Sequence, residues 1–158
     1  MSLKIRRVVT GHDEQGRAKV LIDENVSNVI SSRPGAQSTV IWSSSGFPVS
    51  NDGGQDPSHQ DIATTIDNGT VFRIVSYGPG VAPRNHRTDS LDYAVVISGE
   101  IDMDLDIGSV HLKAGDVVVQ RGTIHNWVNK GKEPCVIAFT LIASKPVTAG
   151  GKPLPAQG

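Results

Sequence analysis

Apolar and polar residues alternate in short runs along this chain. Residues 70–77 (TVFRIVSY) put Val71, Arg73, Val75 and Tyr77 on one face and Phe72, Ile74 and Ser76 on the other, the two-residue period of a strand. Residues 92–98 repeat the pattern, with Asp92, Ala94, Val96 and Ser98 sharing a face. After a turn at Gly99-Glu100, Ile101, Met103 and Leu105 alternate with Asp102, Asp104 and Asp106, which predicts a hairpin whose second strand is half buried. Further strand-like runs lie at 110–112, 117–120, 125–129 and 135–143. Upstream, 6–10 and 18–23 flank a polar turn and predict another hairpin, and 25–32 and 38–43 flank an Arg33-Pro34-Gly35 turn. No stretch carries the 3.6-residue period of an amphipathic helix.

Between residues 43 and 61 periodicity disappears into SSSGFPVSNDGGQDPSHQD, a loop of unusual length for a compact domain. Its His59 reads first as a solvated loop histidine, with a lid that supplies a ligand as the sharper alternative. The pattern divides the chain into N-terminal strands over 1–43, a polar loop over 44–69, a core barrel over 70–144 and a flexible tail rich in Pro and Gly over 145–158. An all-β sandwich or barrel of about ten strands follows, closed so that few edges stay exposed.

Composition supports this class. The 17 Gly, 9 Pro and only 20% charged residues suit a turn-rich β protein, and 158 residues suit one domain. A net charge of −1 gives no footprint for nucleic acid or a membrane surface. No apolar run reaches the ~18 residues of a membrane span, and the N-terminus lacks the apolar core of a secretory signal, so a cytoplasmic location is expected. Cys135 is the only cysteine and is expected as a small buried residue.

The chemistry-bearing residues are spaced in two blocks. The first runs Gly80, five residues, His86-x-Thr88, three residues, Asp92, six residues, Gly99. The second runs from Gly115 to Gln120-Arg121-Gly122, then His125 and Asn129. This double pattern resembles the two motifs of the cupin superfamily. Thr88 stands where the first motif has a second histidine, Asp92 where it has a glutamate, and Gln120 where the second motif has a proline.

The resemblance implies a double-stranded β-helix, or jelly-roll barrel, here with an N-terminal strand extension. It also implies one divalent metal in the barrel mouth, held by His86, Asp92 and His125. Two imidazoles and a carboxylate would leave positions open for substrate and oxygen. Fe, Mn, Zn and Ni all remain open. Thr88 is a poor ligand and is expected to hydrogen-bond a metal-bound water. Small members of the family often form homodimers, and the N-terminal strands are the expected means.

Substrate contacts are expected from Thr88, Trp127 and Arg121. Trp127 shares a strand face with His125, so it either walls a pocket for an aromatic or other organic acid or packs in the core. Arg121, Arg84 and Arg87 either pair with a substrate carboxylate or sit on the rim. Tyr93 is expected between the sheets. Asp102, Asp104 and Asp106 mimic a calcium loop, but Ile107 and Lys113 occupy the positions that need Gly and Glu, so they read as a solvent face. No Gly-x-Ser-x-Gly elbow is present for a nucleophilic hydrolase. Two functions follow: a metal-dependent enzyme of dioxygenase, decarboxylase or isomerase type acting on a small organic molecule, or a non-catalytic ligand-binding or sensor barrel.

Overall fold

The computed structural model describes residues 2–158. Among them are thirteen strands and one short 3-10 turn. In chain order the strands are β1 (Arg6–His12), β2 (Ala18–Asn25), β3 (Ile30–Arg33), β4 (Ala36–Ser45), β5 (Gly69–Tyr77), β6 (Ser90–Ser98), β7 (Glu100–Asp104), β8 (Ser109–Lys113), β9 (Val117–Arg121), β10 (Asn126–Val128), β11 (Cys135–Ala143), β12 (Val147–Ala149) and β13 (Lys152–Leu154). The 3-10 turn is Pro57–His59. The expected all-β barrel is what forms.

A six-stranded antiparallel sheet in the order β3-β4-β5-β11-β6-β9 faces a three-stranded sheet, β10-β7-β8. Their inner faces interlock in one core. The large sheet contributes Val71, Val75 and Tyr77 from β5, Ala94 and Val96 from β6, and Ile137, Phe139 and Leu141 from β11. The small sheet contributes Ile101, Met103, Leu112 and Trp127. The period-two reading of residues 70–77 is therefore the reading of the barrel wall. Gly99 makes the sharp β6–β7 connection at φ +76, and a Cβ there would run into Pro134 O.

Asn129 anchors one end of the barrel. Its buried amide donates to Tyr77 O at 2.8 Å and Glu133 O at 2.9 Å, and its side-chain oxygen accepts from the Gly131 N–H at 2.8 Å. A residue of the second sequence block thus serves turn architecture, satisfying backbone groups that the barrel has taken out of water.

The N-terminal segment covers the outer face of the large sheet. Leu3, Ile5, Val26 and Val29 pack with Ile41, Ile74, Val136 and Ala138. Arg7 pins this cover. Its guanidinium is buried and bonds to Ile41 O, Asp56 and Glu24. Asp56 in turn caps the Pro57–His59 turn, so the polar loop is clamped through its middle. His59 is exposed, as a solvated loop histidine should be.

Two expectations are corrected. The tail, expected as a flexible arm, folds into the β12–β13 hairpin, and Gln157 then exchanges two backbone hydrogen bonds with Arg87. Two glycines at positive φ, Gly150 and Gly151, make that reversal, so the Gly content that suggested fraying is used for a turn. Tyr93, expected between the sheets, is 50% exposed on the outer face of β6 beside Val95 and opposite Val119. Asp92 claims the inward position, and alternation sends Tyr93 out. Among the described residues no helix is long and apolar enough to cross a membrane.

Candidate active site

The two sequence blocks meet at His86 and His125. Each histidine's backbone N–H donates to the other's carbonyl at 3.0 Å, an isolated antiparallel bridge outside the named strands. Both side chains are buried, and their rings lie 4.3 Å apart between centroids. His86 follows the Gly80 turn, and His125 precedes β10. The pairing exists because the β5–β6 connection crosses the β9–β10 connection at the barrel mouth.

The second bonds of the rings define their chemistry. His86 Nδ1 lies 3.0 Å from Arg84 O, and His125 Nδ1 lies 2.9 Å from Thr123 O. Carbonyls only accept, so each Nδ1 carries the hydrogen and each Nε2 keeps its lone pair. The Gln120 amide also touches His125 Nδ1. The amide is placed with Nε2 toward that nitrogen; with Nδ1–H given to Thr123 O, the amide is assigned the flipped orientation in which Oε1 accepts. Burial lowers the pKa of both rings, His125 down to about 4, so both are neutral at pH 7. Two neutral imidazoles, oriented by backbone carbonyls with Nε2 free, are fit to donate to a metal.

Asp92 sits inward on β6, directly across from Gln120 on β9. It is buried, and desolvation raises its carboxyl to about 6, against the opposing pull of the Ser90 hydrogen bond and the Arg73 charge. Ser90 Oγ donates to Asp92 Oδ1 and lies 2.7 Å from Thr88 Oγ1. Ser90 thus engages one of the two carboxylate oxygens of Asp92. Among the described residues, the one group of three His, Cys, Asp or Glu whose ligand atoms all lie within 4.8 Å of one another is Glu24, Asp56 and His59. That group is already neutralised by Arg7. Asp92 carries one methylene fewer than glutamate, and Ser90 holds its carboxylate.

Around the pair the walls are aromatic. Trp127 is in edge contact with His125 at 5.8 Å and with Phe139 at 5.8 Å, and it stacks on Tyr77 at 5.9 Å. Trp127 packs in the core and backs His125. Beside the mouth lies an open cleft of about 490 Å³, whose lining includes Thr64, Arg84, Thr88, Ser144 and Gly158. Thr88 is therefore placed where a small molecule can reach it.

The cupin domain family model matches residues 73–142. Over 157 residues the chain is 34% identical to the cupin-domain-containing oxidoreductase fogC of Aspergillus ruber, spanning 94% of this chain and 77% of that protein. The chain is a cupin. This cupin is also 30% identical over 153 residues to the cupin-domain-containing oxidoreductase srdB of Neurospora crassa, spanning 94% of this chain and 78% of that one. Over 90 residues it is 44% identical to the phomopsin biosynthesis cluster protein C' of Diaporthe leptostromiformis, 56% of this chain and 48% of that protein. Among solved structures it is similar to KdgF from Halomonas sp., with TM-score 0.47 and 19% identity, covering 72% of this chain and 86% of that one.

Arg121, expected at the substrate, is exposed on the outer face of this cupin, opposite Leu91, because Gln120 takes the inward position on β9. Arg87 donates to Gly122 O, and Arg84 to Gly158 O. The residue that sequence reasoning passed over is Arg73. It shares a face with Val71, Val75 and Tyr77, and that face is the barrel interior. A cation among inward apolar residues was the signal.

Proposed function

We propose that this cupin is a metal-dependent oxidoreductase acting on a small organic or aromatic acid at the barrel mouth. The observation that carries the reading is the His86–His125 bridge with both Nδ1–H groups committed to carbonyls. His86 and His125 would hold the ion, and Asp92 could join them through the oxygen that Ser90 does not engage. The ion supplies Lewis acidity and, for a redox-active metal, a site for electron transfer. The protein holds the imidazoles in one tautomer, excludes bulk water from them, and backs them with Trp127. Similarity to cupin-domain-containing oxidoreductases of Aspergillus ruber and Neurospora crassa supports oxidoreductase over decarboxylase or isomerase chemistry.

A second reading has its own observation. Because the Asp92 carboxylate is engaged by Ser90, a ligand-binding cupin without catalysis also fits. Elemental analysis of the purified chain, with His86→Ala and His125→Ala beside it, separates the two. Stoichiometric metal that either substitution removes supports the enzyme. Metal-free protein that also fails to take up cobalt(II) or iron(II) supports the binding module and sinks the enzyme.

A further inference from the structure

We infer that Arg73 is the anchor for the carboxylate of a small organic acid bound at the barrel mouth; this deepens the reading above and rests on it. Arg73 lies in the middle of β5, on the inward face between Val71 and Val75. Its cross-strand neighbours are Val40 on β4 and Phe139 on β11, both packed in or against the core. A cation in such surroundings is destabilising unless a partner compensates it.

The structure compensates Arg73 only in part. Nη2 donates to Ala63 O at 2.6 Å and to Thr64 O at 3.3 Å. These carbonyls hold the guanidinium in place but carry no countercharge. Nε is buried with no protein acceptor. Among the described residues no carboxylate lies within ion-pair distance of Arg73. Asp92 is the acid whose charge it feels, yet burial raises that carboxyl instead of settling it as a paired anion. Contrast Arg7, which is fully buried and matched by two acids; Arg73 is half-buried and matched by none.

Nearby charges reinforce the preference. The charge of Arg84 also acts on Arg73, and those of Arg33 and Arg84 on His86, so the mouth favours an anion over a neutral or cationic guest. Arginine's planar fork suits a carboxylate. Phe139, its cross-strand neighbour, is packed in the core, so the open side of the guanidinium is toward Ala63 and Thr64. Ala63 and Thr64, whose carbonyls position Arg73, also line the open cleft, so the anchor stands beside an entry route.

Calorimetric titration of the full chain with benzoate, and with benzamide as its uncharged analogue, tests the assignment. Wild type is expected to prefer benzoate at least 10-fold. Arg73→Met should abolish that preference, Arg73→Lys should keep part of it, and cobalt(II) uptake should be unchanged in both. Equal binding of benzoate by wild type and Arg73→Met, or no preference for benzoate in wild type, would overturn it. Should Arg73→Met not fold, labelling of wild-type Arg73 by phenylglyoxal, read by mass spectrometry, must be slowed by benzoate and not by benzamide; equal labelling overturns the anchor. Benzoate selectivity without any metal uptake would refute the enzyme reading alone and leave the anchor standing.

Discussion

The backbones of His86 and His125 bond to each other in both directions at 3.0 Å, which sets the separation of their imidazoles before any ligand arrives. The bridge fixes the two backbones, and the Nδ1 bonds to Arg84 O and Thr123 O fix the rings on them, so the pair is preorganised.

That preorganisation predicts the pH dependence of metal uptake. His125 is pushed down to about 4 and His86 is also lowered, both chiefly by burial, so protons compete for the pair only in acid. Cobalt(II) affinity is expected to hold from neutral pH down to about 5 and to collapse toward pH 4. Spectrophotometric titration at stepped pH checks this. A collapse already at pH 6 would place Asp92, which titrates there, among the ligands.

Asp92 predicts a stability effect of opposite sign to most carboxylates. Its pKa is raised to about 6, so the folded chain holds a proton that the unfolded chain has lost, and stability falls as pH rises through that window. Asp92→Asn removes the penalty and keeps an acceptor for Ser90. At pH 8 the variant is expected to be more stable than metal-free wild type by about 2 kcal/mol, with the gap closing below pH 4. Urea denaturation at the two pH values measures it.

Arg7 predicts a clamp on the polar loop. Arg7→Met leaves Asp56 and Glu24 without their cation and should cost about 3 kcal/mol. Limited proteolysis should then cut within residues 46–68 well before the barrel unfolds. Asp56 is held below the ordinary carboxylate range, chiefly by its hydrogen bond from Arg7, so its contribution is present near neutrality and fades as pH falls through that range. Unchanged melting and cleavage in the variant would refute the clamp.

Asn129→Ala removes donors from Tyr77 O and Glu133 O at a buried turn. The loss is expected to be about 2 kcal/mol, with cobalt(II) affinity per folded molecule unaffected. A calorimetric melt combined with metal titration distinguishes this from a role at the histidines.

For assembly we propose a homodimer through the β1–β2 hairpin. That hairpin joins no larger sheet and exposes Val8, Val20 and Leu21, whereas isolated two-stranded ribbons are marginal in water. A second copy would cover it. Light scattering should give twice the 16.7 kDa chain mass, and Val8→Asp with Val20→Asp should give the monomer. A monomeric wild type sinks the proposal.

The sequence by itself determined the strands, the inward faces and the meeting of His86 with His125. Strand alternation is local, written in which residues are apolar, and the Gly and His spacing carried the family resemblance. It also put Arg73 on the same face as Val71 and Val75, though its meaning stayed hidden until that face proved to be the barrel interior. Only the tertiary structure decided that Arg121 and Tyr93 point outward, that the tail folds back onto Arg87, and that Ser90 hydrogen-bonds to Asp92. Those outcomes depend on which of two neighbouring residues wins the inward position and on which hydrogen-bond partner lies closest. Such contests are settled between strands distant in the chain, where linear spacing carries no record of the result.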